Sequence, residues 1–224
     1  MDFKPLDDSE LYESAYQYKS RRATIRLVQI LVLIFFVVFA FRIWWTKNFG
    51  GVIVDGPSME RTLQDGDKLL MHFGNDAKRG DVIVVDVSKY NFTDRYGNKI
   101  GFLIKRLIAV EGDEVFCKNG VTYIRYKGAA EFVVEPYSKK HAYASENYDF
   151  GLYKVGKNEV FFLGDNRCNS TDSRYNESLS HFTDRLYTRD DIYATVPAWS
   201  VKYREYIQYL PSFWDFSEVL DSCR

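Results

Sequence analysis

Histidine and cysteine are scarce in this chain, and neither sign of charge prevails. The three histidines, His72, His141 and His181, stand apart with no cysteine or carboxylate at ligand spacing, so no structural metal is announced. The three cysteines, Cys117, Cys168 and Cys223, include no Cys-x-x-Cys pair and are too few for a disulfide framework. Two readings stay open for them: a Cys117–Cys168 disulfide if the domain lies outside the cytosol, or reduced thiols. With 30 Lys and Arg against 31 Asp and Glu, the chain has no field to draw nucleic acid or another strongly charged partner. Internal repeats and low-complexity linkers are also lacking.

What stands out is one apolar run. Residues 27–41 read LVQILVLIFFVVFAF with Gln29 the only polar member, and Ile43, Trp44 and Trp45 extend the run past Arg42. A helix over 27–45 spans about 28 Å, close to the hydrocarbon thickness of a bilayer, and the tryptophans suit the headgroup interface. Lys19, Arg21, Arg22 and Arg26 precede the run, whereas only Arg42 and Lys47 follow it closely, which predicts a cytoplasmic N-terminus. The run is long, begins well into the chain and has no small-x-small site after it, so an uncleaved single-pass anchor is expected over a cleaved signal. The expected divisions are a cytoplasmic segment at 1–23, either a short helix or a disordered tail, a transmembrane helix at 24–46, and an extracytoplasmic domain at 47–224.

Beyond residue 50 the pattern turns to short β-branched and aromatic runs. Segments 52–54, 68–73, 81–87, 102–110, 121–126, 160–163 and 192–199 read as strands, bounded by turn signals such as Asp65-Gly66, Glu111-Gly112-Asp113 and Asn119-Gly120. A mainly β core of about 170 residues follows, large enough for one domain. Residues 114–157 look less regular and read as an inserted subdomain.

Three segments carry reactive residue types. The first, GPSMERTL at 56–63, presents Ser58 between Gly-Pro and Met shortly after the apolar run. A nucleophilic serine needs a base and donors for the oxyanion. The second, FLIKRLIAV at 102–110, supplies a base: strand alternation puts Lys105 with Leu103, Leu107 and Ala109, and Arg106 on the other face with Ile104 and Ile108. A lysine among apolar residues loses its proton easily because desolvation disfavours the ammonium. On this strand alone the plainer reading is an edge lysine that guards against aggregation. The third, LGDNRCNSTDSR at 163–174, is by itself a good polar turn.

Taken in order behind an N-in anchor, the three segments resemble the motif boxes of the type I signal peptidases, membrane-anchored Ser/Lys endoproteases. The resemblance implies an antiparallel β-sheet catalytic core with a small inserted subdomain, and a Gram-positive-like member given Gly56 and the single anchor. It implies Ser58 as nucleophile, Lys105 as general base, and Ser58 with Gly56 at the oxyanion, Gly56 standing where other members carry a donating serine. Ser170 would orient the lysine, Asp172 and Arg174 would form a bracing ion pair, and Asp165, Asn166 and Arg167 would support the site. Val54, Met59, Leu63 and Ile104 would line shallow pockets for small substrate side chains, or equally belong to the core. No cofactor or metal is required. Signal peptides of exported preproteins would be the substrates, cleaved after small residues at the −3 and −1 positions, with membrane lipid and the translocation machinery as partners and the cytoplasmic membrane as location. Ser58 lies 13 residues past Trp45, at most about 45 Å of extended chain, so it would work near the outer membrane surface.

Two positions depart from the pattern: Arg61 replaces a proline, and Cys168 replaces a commonly acidic residue. Losing the proline frees a φ just after the nucleophile. These departures keep an alternative in view, a non-catalytic signal-peptidase-like factor that assists assembly of surface structures such as pili, although such relatives replace the serine or lysine that this chain retains. An anchored β-domain that only binds is a further alternative. A self-cleaving repressor-type protease shares a Ser/Lys core but calls for a soluble chain with a DNA-binding module. For the aromatics of the final segment, Trp199, Tyr203, Tyr206, Tyr209, Phe213, Trp214 and Phe216, core packing is favoured over a place on the lipid interface.

Overall fold

A computed structural model of the chain describes residues 7–90, 93, 97–138, 149–174 and 187–209. It divides into two units, Met1–Lys47 and Asn48–Arg224. The first is built on α1, Asp8–Asn48, a single helix of 41 residues. No glycine or proline interrupts it, and Phe35 and Phe39, four positions apart, stack with ring centroids 6.1 Å apart. Its apolar side chains from Leu27 to Phe41 are all exposed, and the helix is long and apolar enough to cross a membrane. Within the expected 1–23 segment, the described residues from Asp8 onward are helical and continuous with the apolar run.

The second unit holds two antiparallel sheets. The larger has six strands in the order β1-β2-β10-β3-β4-β9, with β1 at Phe49–Ile53, β2 at Lys68–Phe73, β3 at Val82–Asp86, β4 at Phe102–Val110, β9 at Val160–Leu163 and β10 at Ile192–Val196. The smaller orders as β7-β6-β5-β8, with β5 at Glu114–Lys118, β6 at Val121–Arg125, β7 at Val133–Val134 and β8 at Phe150–Lys154. Residues 114–157 are thus more regular than their composition suggests, although 139–148 lie outside the described residues. Only alternate residues of β5 are buried, Val115 and Cys117, while Phe116 stacks on Tyr123 across the β5–β6 pair, so the strand carries no long apolar signal. The β5–β6 hairpin closes through Asn119 and Gly120, both at positive φ (52° and 70°), as a two-residue turn between right-twisted strands demands.

The strand expected over 192–199 stops at Val196. Pro197 has no N–H for the ladder and instead opens α2, Ala198–Lys202, followed by α3, Arg204–Ile207. Trp199, Tyr203, Tyr206 and Tyr209 are exposed, contrary to the core packing favoured for them; Phe213, Trp214 and Phe216 lie outside the described residues.

Strand β4 fixes the position of the site. It pairs with β3 on one side and β9 on the other, and residues 103–109 are all buried, so Lys105 is no edge lysine. The alternation holds through Leu107. A register shift between Leu107 and Ala109 then ends it, and Ala109 packs with Ile108 against Phe161 and Leu163 instead of with Leu103 and Leu107. No disulfide joins Cys117 and Cys168; Cys223 lies outside the described residues.

Candidate active site

The nucleophile turn begins at Gly56, whose φ of 85° and ψ of 174° only glycine adopts without strain. Pro57 then opens a one-turn 3-10 helix, Pro57–Met59, where its missing N–H costs nothing. Met59 and Leu63 anchor the turn below, fully buried among Val52, Leu69, Met71 and Val84. Of the two places left open for them, pocket wall or core, they take the core.

Above that anchor, Ser58 Oγ lies 2.7 Å from Lys105 Nζ, which also donates to the Ile104 carbonyl at 2.8 Å. Burial pushes the Lys105 pKa down to about 8, against the carboxylates of Asp172 and Asp165, which pull it up. A lysine so placed holds a usable fraction of neutral amine near neutral pH. The Ser58 N–H, in the first turn of the helix, has no intrahelical acceptor and is available to an incoming oxyanion. The Gly56 N–H is not: it donates to Asp65 Oδ1 at 2.8 Å, so Gly56 supplies no oxyanion donor in this structure.

The loop from Gly164 to Arg174 closes the site from the side. Asp165 accepts from Arg106 Nε at 2.7 Å, from Arg106 Nη2 at 2.5 Å and from Thr62 Oγ1 at 2.5 Å, tying β4 to the nucleophile turn. The Asn166 amide donates to the Ser58 carbonyl at 3.0 Å, and its Nδ2 donates to Pro57 O and Glu60 Oε2, each at 3.0 Å. Arg167 donates to Gly164 O, Thr122 Oγ1 and Glu135 Oε2. Asp172 takes two bonds of 2.8 Å from Arg174 and one of 3.0 Å from the Gly164 N–H. Burial raises the Asp172 carboxyl, but the Arg174 charge and these bonds outweigh it and hold the pKa below the usual carboxylate range.

Ser170 departs from expectation. Its Oγ is buried beside Asp172 yet makes no hydrogen bond of good geometry, so it does not hold Lys105 here. The lysine's second partner is the Ile104 carbonyl. Ser170 is nonetheless adjacent: a Cβ added at Gly164 would fall 2.2 Å from Ser170 Oγ and 2.5 Å from the Ser58 carbonyl oxygen, so only glycine fits between them.

Ser58 and Lys105 line an open groove of 690 Å³. Val54 and Ile104 line it, and both also pack in the buried cluster with Met59 and Leu63. Ile100, Phe102 and Leu103 extend its apolar wall, Asp55, Glu60 and Asp65 contribute carboxylates, and Asn169 and Thr171 form part of the rim. The sequence reading missed these last eight. Asn169 and Thr171 flank Ser170 and were findable; the acidic members were not, since they sit in ordinary turn sequence. Among the described residues, no cluster of His, Cys, Asp and Glu is placed to hold a metal ion.

A serine hydroxyl hydrogen-bonded to a buried, depressed lysine over an open groove is the arrangement of an activated serine whose base is an amine. The family model for signal peptidase, peptidase S26, matches residues 24–196, and the chain belongs to that family. Signal peptidase I T of Bacillus subtilis (strain 168) is 35% identical over 138 residues, covering 56% of this chain and 64% of the relative. Signal peptidase I U of the same strain is 30% identical over 186 residues, covering 78% and 90%. The chain spans just under two thirds of the length of the first of these relatives. A crystal structure of a signal peptidase I from Enterococcus faecalis V583 is 24% identical, covers 55% of this chain and 97% of its own, and gives a TM-score of 0.37.

Proposed function

We propose that this chain is a membrane-anchored serine endopeptidase that removes N-terminal signal peptides from exported preproteins, cleaving after small residues at the −3 and −1 positions. The observation that carries the reading is the 2.7 Å contact between Ser58 Oγ and the buried Lys105 Nζ on the wall of an open groove. Family membership and the bare apolar helix α1 support it.

In the proposed reaction neutral Lys105 takes the Ser58 proton as Oγ attacks the scissile carbonyl carbon, and the Ser58 N–H stabilises the oxyanion. The lysine ammonium then protonates the leaving amine as the C–N bond breaks, which leaves an acyl-Ser58 ester and a neutral base. Lys105 next deprotonates a water that attacks the ester, and Ser58 leaves with the proton returned. Asp165, Asn166 and Arg167 hold the nucleophile turn against β4, and the Asp172–Arg174 pair braces the loop that carries Ser170. Ser170 is the residue assigned to orient Lys105 in the substrate complex. Val54 and Ile104 are the wall residues for the small substrate side chains, with the peptide added as an extended strand.

The basic residues before the apolar run support a cytoplasmic N-terminus, with residues 47–224 outside, 114–157 as an inserted subdomain, and substrates arriving from the translocation machinery. The test is cleavage of a preprotein with an Ala-x-Ala site by the detergent-solubilised chain, beside Ser58→Ala and Lys105→Ala. Cleavage after the second alanine by the wild type alone supports the reading. Retained cleavage in either variant removes the role given to that residue, and a folded wild type that cuts no preprotein overturns the reading.

A further inference from the structure

The short segment Glu135-Pro136-Tyr137-Ser138 follows β7 of the small sheet, and two of its side chains end on the arginines that hold the catalytic loop. We propose that Glu135 and Tyr137 are positioning residues of the Ser58–Lys105 site, acting through Arg167 and Arg106. The inference rests on the reading of that site as catalytic.

The segment is itself rigidly held. The Glu135 N–H donates to Thr122 O at 2.9 Å, the Ser138 N–H to Glu135 O at 3.0 Å, the Tyr137 N–H to Glu135 Oε1 at 2.9 Å, and Ser138 Oγ accepts from the Thr122 N–H at 3.0 Å. Glu135 and Ser138 are buried. From this platform one arm runs through Glu135 Oε2, which accepts from Arg167 Nη2 at 2.9 Å, while Arg167 Nε donates to Gly164 O at 3.1 Å. The other runs through the Tyr137 ring, which lies 3.8 Å from the Arg106 guanidinium carbon. Arg106 in turn grips Asp165 with two nitrogens and Gly80 O with a third at 2.6 Å.

Both arms therefore converge on residues 164–167. That stretch carries Asn166, whose amide holds the Ser58 carbonyl, and Asp165, which takes the Thr62 hydroxyl of the nucleophile turn. The arrangement is one of orientation and not of bulk packing. A guanidinium has many rotamers, and each arginine here is fixed by a plane or a fork on one side and by the loop on the other. Removing the ring from Tyr137 frees Arg106 to turn and admits water to its pair with Asp165; removing the charge from Glu135 leaves Arg167 buried without its carboxylate. Displacements of the order of 1 Å in the supports of a reacting pair cost about 10²-fold in rate.

The test uses the full chain in detergent, with two readouts. The first is kcat and KM on the Ala-x-Ala preprotein. The second is the titration of the Lys105 Nζ resonance in isotope-labelled protein, assigned with Lys105→Met, which reports on the site whether or not any preprotein is cut. Lys105 is faced by Asp165 and Asp172 and, behind them, by Arg106 and Arg174; freeing Arg106 strips the Asp165 charge of its counter-ion and leaves it acting on the lysine. Tyr137→Leu is expected to lower kcat by about tenfold to 10²-fold with KM changed less than about threefold, and to move the Lys105 titration to higher pH. Tyr137→Phe, which keeps the ring, is expected to recover most of the kcat and of the titration lost in Tyr137→Leu. Glu135→Gln is expected to lower kcat by about tenfold and serves if the leucine variant does not fold. A merely structural role would lower the melting midpoint without altering kcat or the titration well below it, and that result overturns the proposal. A wild type that cuts nothing while its Tyr137→Leu variant still shifts the Lys105 titration sinks the reading of function and leaves the positioning role standing.

Discussion

The two faces of strand β4 treat a buried cation in opposite ways. Lys105 and Arg106 are neighbours, 2% and 5% exposed, and both have been taken out of water. On its face Lys105 meets a hydroxyl and a carbonyl but no carboxylate within hydrogen-bond reach, and burial lowers its pKa to about 8. On the other face burial also works against the Arg106 charge, but the two-point contact with Asp165 overrides it and the pKa rises. Desolvation is common to both; the amine, with no carboxylate hydrogen-bonded to it, can give up its proton, whereas the guanidinium, gripped by Asp165, stays charged and serves as a strut.

The contrast breaks most severely if the base is made into a strut. Lys105→Arg keeps the charge and most of the length, but a guanidinium is not deprotonated in proteins. Cleavage of the Ala-x-Ala preprotein is expected to fall by at least about 10³-fold, the scale of a lost general base. Activity within tenfold of wild type in this variant would show that proton transfer does not run through position 105.

The converse change attacks the strut. Arg106→Met fills a similar volume but leaves Asp165 charged and buried without its partner, a loss expected to destabilise the domain by about 3–5 kcal/mol in chemical denaturation of the solubilised chain. Asp165→Asn in the same background should restore part of that loss, because the stranded charge goes with it. If the double variant is no more stable than the single one, the cost belongs to the Tyr137 stack and the Gly80 contact instead.

The pH dependence sharpens the same contrast. The folded pKa of Lys105, about 8, lies below the ordinary 10.5, so between these values the unfolded chain binds the extra proton and stability from this group rises with pH. Well below pH 8 the folded protein carries mostly a buried ammonium, and the penalty approaches its full size, about 3 kcal/mol at 1.36 kcal/mol per pH unit. Lys105→Met is therefore expected to be inactive yet more stable than wild type at pH 7, by up to about 3 kcal/mol, with the gap closing between pH 8 and 10.5. Wild-type kcat/KM should climb with an apparent pKa near 8 as the amine is freed.

Much of this was readable from the chain. Strands β2, β4 and β9 carry apolar runs bounded by turns, that of β4 interrupted only by Lys105 and Arg106, and their observed limits match the expected 68–73, 102–110 and 160–163. The half-exposed β5 and β8 did not show, because each is short, buries only one or two residues and ends on charge, at Glu114, Lys118 and Lys154. At the site, Ser58 and Lys105 were singled out from residue type and order, and the structure brings them into contact across 47 positions. What the order of residues cannot express is where a polar atom finds its partner. The Gly56 amide is taken by Asp65, the Ser170 hydroxyl is left without a bond, and Arg106 and Arg167 reach Tyr137 and Glu135 in a segment read as irregular. Each depends on a tertiary approach that no local pattern encodes.

The smallest expected effect concerns Arg61, where the chain departs from a proline. Its φ is 78°, in the left-handed region that costs a residue with a Cβ roughly 1 kcal/mol. Proline, held near −65°, lies roughly 140° away and cannot enter this turn without reshaping it. The departure is therefore a different turn geometry between Met59 and Thr62 and not merely a looser version of the proline turn. Substitutions at this one position should then have opposite signs. Arg61→Gly is expected to stabilise by up to about 1 kcal/mol with cleavage retained, whereas Arg61→Pro is expected to destabilise by more than that and to lower kcat by disturbing the Thr62–Asp165 bond that ties the nucleophile turn to the strut. Melting of the two variants beside wild type decides it: a stabilising proline would mean that the turn follows the pattern from which Arg61 departs, and the link from residue 61 through Thr62 to Asp165 would have to be given up.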